Sequence, residues 1–302
     1  MVYAAANYGE LSHFVFLIRS IDPSWLLVAL CLQLGTYIAL AMVWYRTLRQ
    51  AGVRYRLRSL VPLAVAKLFT DKAVPSGGIS GIAFVFNELR KREVPVEVCM
   101  RVMLIDILSY YAAYILATTG SLFVLWQHHD IRRWMVVVAA IFAAIAIFIP
   151  GAILFLKQLG ANDRLPTWIV RSPRVAPLIA ILSKVPKTGG EKPKLRPLLF
   201  LEVTMFQTTI TILDTLTLWT ILQALGEPIS VFLAFPCLVF ASMVAVLSPI
   251  PLGLGTFEAA FVGLLVMFRI RIETALTATL LFRGLTLWLP MLPGLIVTRM
   301  KL

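Results

Sequence analysis

The stretch Ser248-Pro-Ile-Pro-Leu-Gly-Leu-Gly-Thr-Phe-Glu258 separates two apolar runs with two prolines, two glycines and one carboxylate. Proline removes a backbone donor and blocks a helix, whereas glycine admits backbone conformations that other residues avoid. In lipid, the freed backbone groups are tolerated only where protein or water satisfies them. Glu258 is costly at membrane depth and is therefore a functional candidate. We predict a broken helix here and an earlier counterpart over Pro75-Ser-Gly-Gly-Ile-Ser-Gly81.

The composition indicates a membrane protein, because 60% of the 302 residues are hydrophobic. Several runs reach the roughly 20 apolar residues needed to cross a hydrocarbon core, and such runs exclude a barrel of short alternating strands. We therefore predict an all-α polytopic helical bundle that forms a single transmembrane domain over residues 1–302. The predicted spans are residues 25–45, 96–126, 134–156, 197–225, 229–247, 255–268 and 272–297.

The net charge of +13 comes from basic residues that gather in short loops, as membrane orientation produces. We predict an interfacial helix over 1–23 and a basic cytoplasmic loop over 157–196. Both this loop and the arginines between residues 46 and 58 are expected to contact anionic lipid headgroups. No nucleic-acid partner is expected. The loop charges predict a multi-pass protein of the cell membrane with the N-terminus outside and the C-terminus in the cytoplasm.

The two breaks are related by an internal repeat, because a shift of 176 residues (251 − 75) places Pro75 on Pro251 and Gly77 on Gly253. Each copy has an apolar limb, a break, a short limb and a long span. By the loop charges, the first hairpin opens to the cytoplasm and the second to the outside, which is the layout of inverted repeats with re-entrant or broken helices in many transporters. Two unrelated proline–glycine kinks are the alternative. The copies cover 57–126 and 229–298, with break residues Pro75, Gly77, Gly78, Gly81, Pro249, Pro251, Gly253 and Gly255.

Ionisable residues inside the apolar segments are the predicted substrate-binding residues, since an unpaired charge in lipid is costly. Arg283 can hold a phosphate or carboxylate with two parallel hydrogen bonds. A structural partnership with Glu258 or Asp106 is the alternative for Arg283, and a cap on its own helix is the alternative for Glu258. The predicted set is Arg283, Glu258, Asp106, Lys67, Lys72, Asp71, Arg101 and Asp214.

The remaining candidates allow two interpretations each. Lys67 and Lys72 would form a basic vestibule that draws in an anionic headgroup, or Lys67 and Asp71 neutralise each other at a spacing of four. Arg101 contacts substrate, or it extends to the membrane interface. Asp214 lies in mid-span and is a candidate proton site.

Neither a metal site nor a cofactor site is predicted. His128 and His129 are adjacent, so they point to different sides of a helix, and no third ligand has a suitable spacing. The sequence contains no phosphate-binding loop, no zinc-type His-Glu motif and no recognisable Ser-His-Asp arrangement. Any driving energy for transport would therefore come from the proton or membrane potential, a lipid gradient or a partner.

The motif from Pro251 to Glu258, followed by Arg283, Pro290 and Gly294, resembles the lysylphosphatidylglycerol synthase transmembrane-region family of flippase-like membrane proteins. Pro75-Ser-Gly-Gly is similar to the family's first break. The resemblance covers residues 10–300 and implies translocation of a lipid or lipid-linked headgroup. The family often begins with one more span, which we do not recognise here, and the soluble aminoacyl-transferase domain of the full synthases is not present in this sequence. We therefore expect a short or truncated variant, for which lipid aminoacylation is not implied.

Three functions follow as hypotheses. The first is a flippase that moves a phospholipid or lipid-linked headgroup between leaflets through a charged cavity near the membrane midplane. The second is a membrane-embedded enzyme acting on lipids, with Asp106, Glu258 or Asp214 as acid or base. The third is a non-transporting scaffold for envelope-lipid enzymes. Expected partners are a membrane lipid or lipid-linked substrate and either a second copy of the chain or an enzyme.

Overall fold

The computed structural model describes residues 23–73, 79–161, 196–248, 250 and 253–289, and it leaves the side chains of 71–73, 79–80, 149–150 and 152–161 undescribed. Within these ranges the chain is helical and contains no strand, which confirms the predicted all-α class. The helices are α1 Pro23–Gln50, α2 Leu57–Ala73, α3 Ile79–Lys91, α4 Val96–Gln127, α5 Arg133–Ala161, α6 Pro197–Ala224, α7 Val231–Leu247, α8 Thr256–Met267 and α9 Ile272–Arg283, which continues into a π-helical turn, Gly284–Trp288.

Three of the described helices, α1, α4 and α6, are long and apolar enough to cross a membrane. They have 28, 32 and 28 residues. At about 1.5 Å per residue they are longer than a hydrocarbon core of about 30 Å. Large apolar side chains such as Leu27, Leu116 and Leu198 are exposed on them. An exposed apolar surface of this kind is what lipid tails require of a spanning helix.

The predicted spans agree with these helices to within a few residues at most ends, and the predicted end of the last span at residue 297 lies outside the described residues. The largest differences are at α1, which continues to Gln50 instead of Tyr45, and at α5, which continues to Ala161. The short limb of the first copy is α3, which has 13 residues and has Arg90 and Lys91 in its last turn. Basic side chains interact favourably with the negative end of the helix dipole, so they extend the last turn.

The chain divides into two compact units. Among the described residues, unit 1 contains 23–36, 117–139 and 209–289, and unit 2 contains 37–116, 140–161 and 196–208.

In unit 1, α7 packs on α8 and α8 packs on α9. The core of this unit is rich in aromatic residues, and Phe240 and Phe261 are fully buried in it. Trp25 meets Trp219 edge to face at a centroid distance of 5.9 Å. Because a π-system prefers edge-to-face contact to a flat sandwich, this arrangement contributes beyond the buried area.

In unit 2, α2 packs on α3, and Trp44, Leu60 and Leu89 are completely buried. The rings of Tyr114 and Phe142 lie 5.6 Å apart. The first predicted break falls in this unit, but Pro75, Gly77 and Gly78 lie outside the described residues. The re-entrant placement of this hairpin and the inverted-repeat relation to α7 and α8 stay predictions.

The helix is interrupted at the second break. α7 ends at Leu247, where the cap residue Ser248 is extended (φ −71°, ψ 138°), and α8 begins at Thr256. Pro249 and Pro251 lie outside the described residues. So do residues 1–22 of the predicted interfacial helix and residues 162–195 of the predicted basic loop.

Candidate functional site

Two glycines give the second break its backbone conformation. Gly253 and Gly255 have φ values of +60° and +82°, a region that side chains disfavour. A Cβ atom on Gly253 would lie 2.7 Å from the Cβ of Ala245 on α7. Gly253 therefore lets the chain turn back against α7 at a distance that no other residue permits.

Glu258 lies in the first turn of α8 and closes the break at that end. Its Oε2 accepts a hydrogen bond from the backbone N–H of Gly255 at 2.7 Å. The Thr256 hydroxyl donates to the carbonyl of Gly253 at 3.0 Å. A carboxylate in this position satisfies an orphan donor and is favoured by the helix dipole, so the capping interpretation of Glu258 is confirmed.

Arg283, at the end of α9, reaches the same break. Its Nε lies 2.7 Å from Oε1 of Glu258, and its Nη2 donates to the Gly253 carbonyl at 3.3 Å. Arg283 as a whole is only 6% exposed. One carboxylate thus caps its own helix with one oxygen and pairs with a buried arginine through the other, so both alternatives given for Glu258 and Arg283 occur together.

Aromatic rings cover this ion pair. The guanidinium carbon of Arg283 lies 4.2 Å from the ring centroid of Phe257. Phe257 is nearly parallel to Phe282 at 6.1 Å, and Phe261 contacts both rings. A cation over an aromatic face is attracted by the ring quadrupole, and exclusion of water strengthens the pair.

The charges in this cluster balance, which explains how a buried arginine is tolerated. Transferring an arginine from water into the protein interior costs on the order of several kcal/mol of desolvation free energy. Only a close counter-charge together with additional hydrogen bonds compensates this cost. Glu258 and the Gly253 carbonyl provide both. The Glu258 side chain is 24% exposed, whereas that of Arg283 is 7% exposed. The accessible side of the pair is therefore the carboxylate.

A π-helical turn, Gly284–Trp288, follows Arg283 directly. The N–H of Leu289 donates to the carbonyl of Gly284, which is an i to i−5 bond. π-helical turns inside α-helices are rare and occur frequently at functional sites. The sequence did not predict this turn, and Gly284 next to an arginine in an apolar segment is the one local signal of it.

Unit 2 contains a second buried polar cluster. Asp106 is 3% exposed, and its Oδ2 lies 3.6 Å from Nζ of Lys67. The Gln207 side-chain amide donates to Oδ1 of Asp106 at 2.8 Å. The structure thus brings Asp106 and Lys67 together, as two predicted site residues. Gln207 was missed, although a buried amide within an apolar span is itself a signal of a polar contact.

The other predicted residues lie elsewhere. Arg101 donates from Nη2 to Oε1 of Gln50 at 2.9 Å, which joins α4 to the end of α1. Asp214 lies in the part of α6 that belongs to unit 1 and is half-buried. Asp71 and Lys72 belong to α2, with side chains outside the described residues. Gly81 is buried in α3.

Comparison with known proteins gives one family. The sequence model of the lysylphosphatidylglycerol synthase TM region matches residues 5–294, nearly the whole chain. A search of curated proteins found no match. The matched range contains the broken helix, Arg283 and Asp106. The chain therefore belongs to the lysylphosphatidylglycerol synthase transmembrane-region family, a membrane family linked to lipid modification or flipping.

Proposed function

We propose that this protein is a lipid translocase that moves a phospholipid or lipid-linked headgroup between leaflets, with Arg283 as the headgroup contact. The observation that carries the proposal is the buried Arg283, paired with Glu258 at a helix break and covered by Phe257. An ionisable residue kept inside a membrane span marks a substrate pathway more often than a structural role. Membership in a family linked to lipid flipping supports the same assignment.

The chemistry of the pair suits exchange of one anion for another. A phosphodiester headgroup carries one negative charge and two non-bridging oxygens, so it can accept two hydrogen bonds from a guanidinium as a carboxylate does. When the headgroup binds the Arg283 guanidinium in place of Glu258, the Glu258 carboxylate keeps the hydrogen bond that it accepts from the Gly255 N–H. The displaced carboxylate is therefore not left without a partner, and the exchange avoids most of the cost of breaking a buried pair.

Lys67 is the second cation that we assign to headgroup contact. Its ammonium lies 3.6 Å from Asp106, longer than the contact at Arg283, and its side chain is 16% exposed. Gln207 already donates to Asp106, so this carboxylate also keeps a hydrogen bond when Lys67 turns to another anion. The Arg283–Glu258 and Lys67–Asp106 clusters have the same arrangement: in each, a cation is paired with a carboxylate that also accepts a hydrogen bond from a second donor.

The test is a flipping assay with the purified full-length chain in liposomes that contain phosphatidylglycerol labelled on an acyl chain. Bleaching of the outer leaflet by a membrane-impermeant reductant measures how fast lipids exchange leaflets. We expect the wild type to exceed protein-free vesicles, Arg283→Ala to abolish flipping, and Arg283→Lys to slow it, because a lysine keeps the charge but loses the planar fork.

The matched control is Arg46→Ala, which breaks the Arg46–Glu202 pair in unit 2. This variant should flip like the wild type. Size-exclusion chromatography checks that each variant is folded. Wild-type flipping by Arg283→Ala would remove Arg283 from the pathway, and a wild type no faster than protein-free vesicles would overturn the translocase assignment. A new covalent lipid product in mass spectra of the vesicles would favour the enzyme instead.

A further inference from the structure

Two loops of unit 2 that are far apart in sequence are joined at one end of this unit. The Tyr55 hydroxyl donates to the carbonyl of Arg92 at 2.6 Å, and the Arg92 guanidinium donates to the carbonyl of Ser59 at 3.3 Å. The Arg92 guanidinium also lies 5.9 Å from the Tyr55 ring centroid. The α1–α2 loop and the α3–α4 turn are thus held against each other.

The joined loops form a strongly basic surface, which we call the basic loop surface. Its exposed cations are Arg49, Arg54, Arg56, Arg58, Arg90 and Lys91. Within the described part of the chain, the side chains of Arg54, Arg56 and Arg58 have no hydrogen bond or ion pair. Lys91 lies 3.2 Å from the buried Glu88, and Glu93 and Glu97 are the exposed acids near these loops, so these three acids face six cations. The surface therefore has a net positive charge that the protein itself does not neutralise.

A cleft of about 450 Å³ opens beside these cations. Its lining includes Phe86, Asn87, Arg90 and Val96, so it combines apolar contacts with one guanidinium. Arg90 uses Nη1 to donate to the carbonyl of Val94 at 3.1 Å, which fixes the side chain at the rim of the turn. A site of this composition suits an amphiphile with an anionic head better than a fully polar ion.

The position of the surface identifies the amphiphile. α1 ends at Gln50 and α4 begins at Val96, and both helices are long enough to cross a membrane. The ends of spanning helices lie at the membrane–water interface, where phospholipid headgroups are the most abundant anions. We propose that the basic loop surface is a docking site for anionic phospholipid, and that the cleft beside Arg90 takes one headgroup. This inference does not depend on translocation.

The test uses the full-length chain in detergent and native mass spectrometry, with phosphatidylglycerol or phosphatidylcholine added at equal concentration. We expect tighter binding of phosphatidylglycerol by the wild type, weakened by added salt. Each arginine near a charged headgroup layer contributes about fivefold, so Arg54→Gln/Arg56→Gln/Arg58→Gln should weaken phosphatidylglycerol binding by about a hundredfold. Arg90→Gln alone should reduce binding at the cleft by about fivefold.

The control variant removes the same charge from unit 1, as Arg132→Gln/Arg133→Gln/Arg271→Gln, at residues that are equally exposed. It should keep most of the phosphatidylglycerol preference. Equal binding of the two lipids by the wild type would overturn the proposal, and so would an equal loss in both triple variants. Displacement of the lipid by inorganic phosphate at equal concentration would also overturn it, because a site for free anions needs no apolar cleft.

Discussion

The described residues include two arginine–glutamate pairs of nearly equal length in different surroundings. Nε of Arg283 lies 2.7 Å from Glu258, and Nε of Arg46 lies 2.6 Å from Glu202. The first pair is mostly buried, whereas the side chains of Arg46 and Glu202 are 37% and 31% exposed. The two pairs therefore have nearly the same N–O distance but differ in how far their side chains are buried.

The pairs also differ in how the guanidinium is used. Arg46 directs both Nε and Nη2 at Glu202, with Nη2 donating at 2.7 Å, so its glutamate takes the whole fork. Arg283 divides its contacts between Glu258, the Gly253 carbonyl and the Phe257 ring. A complete fork suits a fixed link between α1 and α6, whereas divided contacts leave Arg283 able to change its anion.

The largest expected effect comes from removing the buried cation. Arg283→Ala leaves Glu258 without its counter-charge and should lower the free energy of unfolding by about 3 kcal/mol or more. Thermal unfolding in detergent measures the loss. The double variant Arg283→Met/Glu258→Gln should recover part of it, since no unpaired charge remains. If the single and double variants unfold at the same temperature, the unpaired buried charge of Glu258 is not what destabilises Arg283→Ala.

The next largest effect is steric. Gly253→Ala places a Cβ 2.7 Å from that of Ala245 and should cost about 2–3 kcal/mol, combining overpacking with a disfavoured φ. Gly255→Ala has the same sign of φ but open space, so about 1–2 kcal/mol is expected. Adding Ala245→Gly should rescue Gly253→Ala but not Gly255→Ala. A double-mutant cycle with no coupling would contradict the close approach.

A smaller effect is expected at the cluster of unit 2. Asp106→Asn removes the negative charge that faces Lys67 while keeping a group that Gln207 can contact, so about 1–3 kcal/mol is expected. Adding Lys67→Met should restore part of the stability by removing the cation. Chemical denaturation of the solubilised protein gives the difference, and additive effects of the two changes would show that the residues do not interact.

The smallest effect is expected at the exposed pair. Arg46→Gln should lower stability by less than about 1 kcal/mol, because solvent screens an ion pair whose side chains are 37% and 31% exposed. The effect should also shrink in high salt, unlike that of Arg283→Ala. A loss at Arg46 as large as that at Arg283 would mean that the two pairs are equivalent despite their different burial.

Sequence alone identified the features that depend on neighbouring residues. Long apolar runs located α1, α4 and α6, and the glycines of the second break marked the interruption before Thr256. Features that depend on the packing of distant segments could be predicted only in part from the sequence. Arg283 and Glu258 were proposed as partners among alternatives, because the packing of α8 on α9 decides which charges meet. The contacts of Asp106 with Lys67 and Gln207 depend on how α2, α4 and α6 pack together. No local sequence pattern specifies this packing.

The π-helical turn after Arg283 has a consequence for any helical wheel drawn through the last span. An i to i−5 bond accommodates one residue more than an α-helical turn. Since each residue of an α-helix advances by about 100°, Leu289 is rotated by about that angle from where a regular wheel through α9 places it. Deleting one residue from Gly284–Trp288 would restore an unbroken phase and place Leu289 on a different side of the helix relative to Arg283.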